Sequence, residues 1–180
     1  MEFIQSIDFA LLNAIKDNLT CAFLDFIMPL ITVIGNDGIA YIILAVILMI
    51  FKKTRKYGIM LGIALLFGLI FGNILLKNLI ARPRPFTYND MKLIIPTPDE
   101  YSFPSGHSMA SFETASVVFY MNRKAGAVML VIASLVAFSR LYLYVHFPTD
   151  VICGCILGTI FGICAIKLYN FIAASFTKKA

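Results

Sequence analysis

The feature that most restricts the fold of this sequence is a run of twenty residues, 57–76, without a single Asp, Glu, Lys or Arg. A helix of ~20 apolar residues matches the hydrocarbon core of a bilayer. Lipid offers no partners to open backbone groups, so a spanning segment must be a helix or part of a closed barrel. The period-two alternation of a barrel strand is absent, which leaves helix. Five further apolar runs, 19–34, 39–51, 106–121, 125–144 and 149–172, bring the expected spans to six. The first is short, carries Asp25 and Pro29, and is joined to the second by the turn-forming Gly35-Asn36-Asp37-Gly38. With 60% hydrophobic and 14% charged residues, the chain departs from the ~45–50% and ~25% of soluble domains. No small-residue cleavage site marks a removable signal peptide. The expected architecture is all-α, a six-helix transmembrane bundle forming one domain over residues 1–180.

Ahead of the bundle, Phe3, Ile4, Ile7, Leu11, Leu12 and Ile15 recur at mostly helical spacing among Glu2, Gln5, Asp8, Asn13, Lys16 and Asp17. Residues 1–18 therefore read as an amphipathic helix on the membrane surface; a helix packed on a partner element is the alternative. Gly58 and Gly62, Gly68 and Gly72, and Gly154, Gly158 and Gly162 recur every four residues, which lets helix backbones approach closely. Cys21, Cys153, Cys155 and Cys164 lie in apolar runs without metal-ligand or redox spacing and are expected as small buried apolar residues.

The net charge of +5 is informative through its placement. Lys52, Lys53, Arg55 and Lys56 form one cluster, Arg123 and Lys124 a second, and Lys178 and Lys179 a third. Short basic segments between apolar runs mark the cytoplasmic side, and nucleic acid is not expected as a partner. Six spans would put both termini in the cytoplasm with these clusters. The polar segment 77–105 and the 140–150 corner would then share the outer side of the membrane. Lys77, Arg82, Arg84, Lys92 and Arg140 sit there against the general bias, as holding an anion would require. Segment 77–105 is the only long non-apolar stretch, and such loops are usually functional or disordered.

Three groups on that side carry chemistry. Lys77 and Arg84 are seven apart, two helical turns, so both approach one face, whereas Arg82 points away. A lysine point charge and an arginine fork suit phosphate, although a stop-transfer cluster has the same composition. Ser105 is placed to cap the helix that begins at Gly106, whose free N–H groups attract anions, and His107 would face the same anion as a proton donor. An ordinary capped helix is the plainer reading. In the third group, Pro148 suits the first turn of a helix, which sets Asp150 in that turn with His146 just before it. A carboxylate four residues on can take the proton of one imidazole nitrogen and leave the other as a nucleophile. Arg140 would hold the anion. An interfacial histidine beside a helix-start aspartate is the alternative.

Taken together, Lys77 with Arg84-Pro85, Pro104-Ser105-Gly106-His107, and Ser139-Arg140 with His146 and Asp150 match K-x6-R-P, P-S-G-H and S-R-x5-H-x3-D. This pattern resembles the type-2 phosphatidic acid phosphatase family, which is related to vanadium haloperoxidases, and it covers the chain from the third span to the sixth. The resemblance implies a phosphatase without metal or other cofactor. In it His146 attacks phosphorus and forms a phosphohistidine, His107 protonates the leaving group and then activates water, and Asp150 orients His146. Lys77, Arg84, Ser105, Gly106 and Arg140 would bind the phosphoryl oxygens. The implied substrate is a lipid phosphate or diphosphate, with undecaprenyl diphosphate first and phosphatidylglycerol phosphate or phosphatidic acid next. A non-catalytic lipid-phosphate binder or transporter is the competing class. Asp25, Asn73 and Glu113 are expected to make hydrogen bonds that serve packing, and Arg82 is open between a second phosphate, a headgroup and bulk lipid.

Overall fold

The computed structural model describes residues 2–89 and 92–177. Lys178 and Lys179, used in the charge argument above, lie outside them. All the regular elements among the described residues are helical: α1 (Glu2–Leu19), α2 (Ala22–Val33), α3 (Ile39–Ile50), α4 (Arg55–Phe67), α5 (Lys77–Ile80), α6 (Phe86–Asn89), α7 (Gly106–Met121), α8 (Arg123–Tyr142) and α9 (Pro148–Thr177). A π-helical stretch, Gly68–Leu76, joins α4 to α5 in one continuous rod. α7 is the central helix, packed on α4, α8, α9 and the π-helical stretch. Gly154, Gly158 and Gly162 of α9 lie directly against Ser105, Met109 and Ser116 of the α7 strand of chain, so the expected glycine ridge is what lets the two helices meet backbone to backbone. Gly62 packs on nothing and borders open space instead.

Among the described residues, four segments are long and apolar enough to cross a membrane: Ala22–Ile50, Arg55–Ile80, Arg123–Tyr142 and Pro148–Phe176. The sixteen-residue α7 runs among them. Phe23, Phe26, Val128 and Phe171 are exposed on the outer surface, as lipid-facing side chains of an integral membrane protein are.

The expected first and second spans are two halves of one. Asp25 of α2 meets Tyr142 at the site end of α8, Gly35 meets His107, Tyr41 of α3 meets Ser111 one turn further along α7, and Gly58 of α4 meets Ala45 and Met49. The chain thus descends through the bundle without reversing. Asp37 (φ 50°) and Gly38 (φ 66°) are both left-handed and redirect the helix rather than fold it back. Consequently α1 and the far end of α9 lie at opposite ends of the bundle, not on one side as six spans required. α1 touches the first turn of α9 through Asp8 and Thr149, whereas Asn170 near the other end of α9 bonds Tyr120 near the end of α7.

α1 is amphipathic in an unexpected sense. Phe3, Ile4, Ile7 and Leu11 face outward, while Leu12 and the carboxylate of Asp8 are buried against the bundle. The cysteines depart from expectation too: Cys21 and Cys164 are exposed, and Cys153 and Cys155 are half-buried. On a spanning helix an outward thiol meets lipid, so burial in protein is not needed to keep it dry.

Candidate active site

His146 sits on the short connection between α8 and α9. Tyr144 adopts a left-handed conformation (φ 59°), which ends α8 and turns the chain, and Val145 N–H donates back to Arg140 O at 3.2 Å. Pro148 then starts α9 with its ring in place of a donor that would have no partner. Asp150 lies in that first turn and accepts Phe147 N–H at 2.9 Å. His146 is 2% exposed and Asp150 fully buried.

Arg84 Nη1 donates to His146 Nε2 at 3.2 Å. An arginine has no acceptor to offer, so Nε2 carries a lone pair and the ring hydrogen is on Nδ1. Burial pushes the His146 pKa down to about 3, with Arg84 and Arg140 adding to it and Asp150 pulling the other way, so the ring is neutral near pH 7. Nδ1 lies 3.7 Å from Asp150 Oδ2, beyond hydrogen-bond distance. The expected direct bond is therefore not made. Asp150 Oδ2 is already taken by Phe147 N–H and by Ser102 Oγ–H at 2.5 Å, and Ser102 Oγ itself lies 3.4 Å from Nδ1. Ser102 stands between the imidazole and the carboxylate.

Behind this pair is a second layer. Arg82 Nη1 donates to Asp150 Oδ1 at 2.6 Å and to Thr149 Oγ1 at 2.8 Å, and Arg82 Nη2 to Asp8 Oδ2 at 2.7 Å. Its guanidinium lies 3.9 Å above the Phe147 ring. Arg82 is thus directed away from the face shared by Lys77 and Arg84, as its spacing implied, and its partners among the described residues are Asp8, Asp150 and Thr149.

In front of His146 opens a cavity of about 1220 Å³. Lys77, Arg84, Arg140, His107, His146 and Gly106 all border its head, so six of the eight expected site residues converge on one hollow from the end of the π-helical rod, the polar loop, α7 and α8. Asp150 stands behind His146, and Ser105 does not join them. Ser105 is fully buried, accepts Ser108 N–H and shares a bond with Ser108 Oγ at 2.9 Å, so it caps α7 instead of facing the cavity. Past the head, the cavity continues between Val33, Ile42, Val46, Leu65 and Leu69 of the broken span and its neighbour, a lining suited to an aliphatic chain.

The cations there are unevenly partnered. Arg140 is 3% exposed, donates from Nη1 to Thr32 Oγ1 at 2.6 Å, and has a buried Nε without a partner among the described residues. Arg84 also donates to the carbonyls of Glu100 and Val145, and burial pulls its pKa down to about 10 despite the nearby Glu100 and Asp150. Lys77 pairs with the exposed Glu100, and the hydrogen bond from Lys77 holds the Glu100 carboxyl below its usual range. His107 Nε2 lies 2.9 Å from Asn36 Oδ1, which puts its ring hydrogen on Nε2.

Of the less certain polar residues, Asp25 accepts Tyr142 O–H at 2.6 Å, as expected of a packing bond. Glu113 Oε1 and Asn73 Oδ1 are buried without a partner among the described residues, contrary to that expectation; both residues border the cavity. Sequence reasoning passed over Ser102, Thr32, Asn36 and Asp8. Asn36 was legible only as a turn residue, and the other three sit among residues with no distinguishing spacing. Among the described residues no three His, Cys, Asp or Glu side chains gather as metal ligands would.

The chain is 36% identical over 140 residues to an undecaprenyl-diphosphatase of Sulfolobus acidocaldarius, covering 77% of this chain and 67% of that protein. It is 32% identical over 139 residues to the undecaprenyl-diphosphatase BcrC of Bacillus subtilis, covering 77% and 72%. Its fold superposes on the transmembrane PAP2 type phosphatidylglycerolphosphate phosphatase of Bacillus subtilis with a TM-score of 0.81 and 26% identity, over 96% of this chain and 89% of the other. Residues 56–173, which hold every cavity-head cation and both histidines, match the model of the PAP2 superfamily, and the chain belongs to that superfamily.

Proposed function

We propose that this chain is a membrane phosphatase that hydrolyses undecaprenyl diphosphate at the cavity head, acting as a single domain over residues 1–180 with part of its site on segment 77–105. The observation that carries the reading is one hollow with two histidines and three cations at its head and an apolar passage behind. The diphosphate would enter the head and the prenyl chain the passage.

The chemistry follows from where the protons are. His146 Nε2 has its lone pair free of hydrogen and attacks the terminal phosphorus. The bond from phosphorus to the bridging oxygen breaks, and His107, which takes up a second proton as the anionic substrate enters, gives that proton to the oxygen. Water then attacks the phosphohistidine as His107 takes a proton back, releasing inorganic phosphate and restoring His146. Lys77, Arg84, Arg140 and the Gly106 N–H neutralise the equatorial oxygens, and such fixed charge supplies most of phosphoryl-transfer catalysis. Arg84 would exchange His146 Nε2 for a phosphate oxygen as substrate arrives, which frees the nucleophile only when a target is present. Ser105, engaged with Ser108, acts by capping α7. No step requires a metal or other cofactor.

The basic clusters at 52–56 and 123–124 lie at the end of the bundle away from the site, and by the positive-inside bias that end is cytoplasmic. The site then faces the outside of a bacterial plasma membrane, with α1 on the outer surface. The structural likeness to a phosphatidylglycerolphosphate phosphatase makes phosphatidylglycerol phosphate the second substrate to try.

Phosphate release in detergent with EDTA tests the reading on both lipids. Turnover should survive the chelator and fall on the order of 10⁴-fold or more in His146→Ala. Tight lipid binding without turnover would leave a binder or transporter, and equal turnover in the variant would end the assignment of His146.

A further inference from the structure

Asp8 is a buried carboxylate on a membrane-surface helix, far in sequence from residues 56–173 that match the family. Burying a charge is costly unless it is paired and hydrogen-bonded, and α1 already has apolar anchors: Leu12 is fully buried and the Phe9 ring packs edge-on against Phe147 at 5.1 Å. Anchorage alone does not require a carboxylate here. Its partners indicate another use. Asp8 Oδ1 accepts Thr149 N–H at 3.0 Å, and Oδ2 accepts Thr149 Oγ1–H at 2.5 Å and Arg82 Nη2–H at 2.7 Å. The other arm of the same guanidinium holds Asp150 Oδ1 at 2.6 Å.

We propose that Asp8 is a positioning residue for His146 and Asp150, acting through Arg82. This rests on the function proposed above. As His146 attacks phosphorus its ring gains positive charge, which Asp150 stabilises from behind. Arg82 opposes that, because a cation bonded to Asp150 draws on the carboxylate's charge. Asp8 supplies the counter-charge: it shares the guanidinium, so Asp150 keeps its charge for the imidazole, passed on through Ser102, while Arg82 keeps Asp150 in place. Asp8 also fixes residue 149, next to Asp150 in the first turn of α9. α1 thereby belongs to the support of the site as well as to the membrane surface.

The test uses the full chain in detergent and phosphate release from undecaprenyl diphosphate. Asp8→Asn should lower kcat about tenfold, roughly the effect of losing one charge-assisted hydrogen bond, with KM unchanged. Asp8→Glu, which keeps the charge, should recover most of the rate. Arg82→Lys keeps a cation for Asp150 but has no second arm for Asp8; it should show a similar loss of kcat, and adding Asp8→Asn to it should cost nothing further, because partners in one network are not additive. Unchanged kcat in Asp8→Asn, a rise in KM instead, or losses that multiply in the double variant would overturn the proposal. Should Asp8→Asn not fold, Arg82→Lys decides alone, and full activity there overturns it. His146→Ala is run beside them: if it is inactive while Asp8→Asn is normal, the phosphatase reading stands and only the role of Asp8 is lost.

Discussion

The two sides of His146 are built differently. Behind Nδ1, donors and acceptors are matched: Asp150 takes three hydrogen bonds, from Ser102, Phe147 and Arg82, and Arg82 bridges to Asp8 and Thr149. In front of Nε2, the cations are less fully matched among the described residues: Arg140 has a buried Nε without a partner there, and Lys77 pairs with a carboxylate that is itself 69% exposed. Matched buried polar networks hold one geometry, whereas an unmatched buried donor carries a free-energy cost that a suitable ligand relieves. The back is thus made to orient the imidazole and the front to receive an anion. Variants on the two sides should have different kinetic signatures.

The largest contrast is expected at the front. Arg140→Gln removes a charge from the transition state and should lower kcat/KM by roughly 10²–10³-fold, the usual range for one oxyanion donor. Steady-state phosphate release over a range of substrate concentrations checks this, and a change below twofold would break the division between the sides. The back should respond in kcat alone. Asp150→Asn should slow turnover about 100-fold, less than direct triad partners do because Ser102 intervenes, and Ser102→Ala should slow it less than Asp150→Asn does. If Ser102→Ala is the worse of the two, Ser102 rather than Asp150 is the effective partner of Nδ1.

The smallest effect concerns stability and pH. An unfolded histidine titrates near ~6.5, whereas folded His146 titrates at about 3. Between those values the unfolded chain binds a proton that the folded chain does not. Stability is therefore undiminished by this group above about 6.5 and declines as pH falls toward 3. Thermal unfolding in detergent at pH 7 and pH 4 should show a smaller acid drop in His146→Asn than in the parent. Identical drops would mean that the ring is protonated in the fold and that the front is less positive than described.

Much of the site was legible because its chemistry is local in sequence. Charged and imidazole groups are rare in spanning segments, so Lys77, Arg84, His107, Arg140, His146 and Asp150 stood out against their apolar surroundings. Ser102 and Asp8 did not, since a serine in a loop and an aspartate on a surface helix are ordinary until something packs against them. Counting apolar runs also overestimated the crossings. Run length measures what helix can span, but two left-handed residues at Asp37 and Gly38 decided that α2 and α3 continue in one direction.

By itself, the order of residues determined the helical class, the membrane environment and the identity of the reactive groups, because hydrophobic length and rare polar side chains are properties of short stretches. The path of the broken span, the serine between His146 and Asp150, and the attachment of α1 through Asp8 were decided by tertiary structure. The last two depend on which groups compete for the same donor or acceptor across more than forty residues of chain, and that competition is settled only when the helices pack.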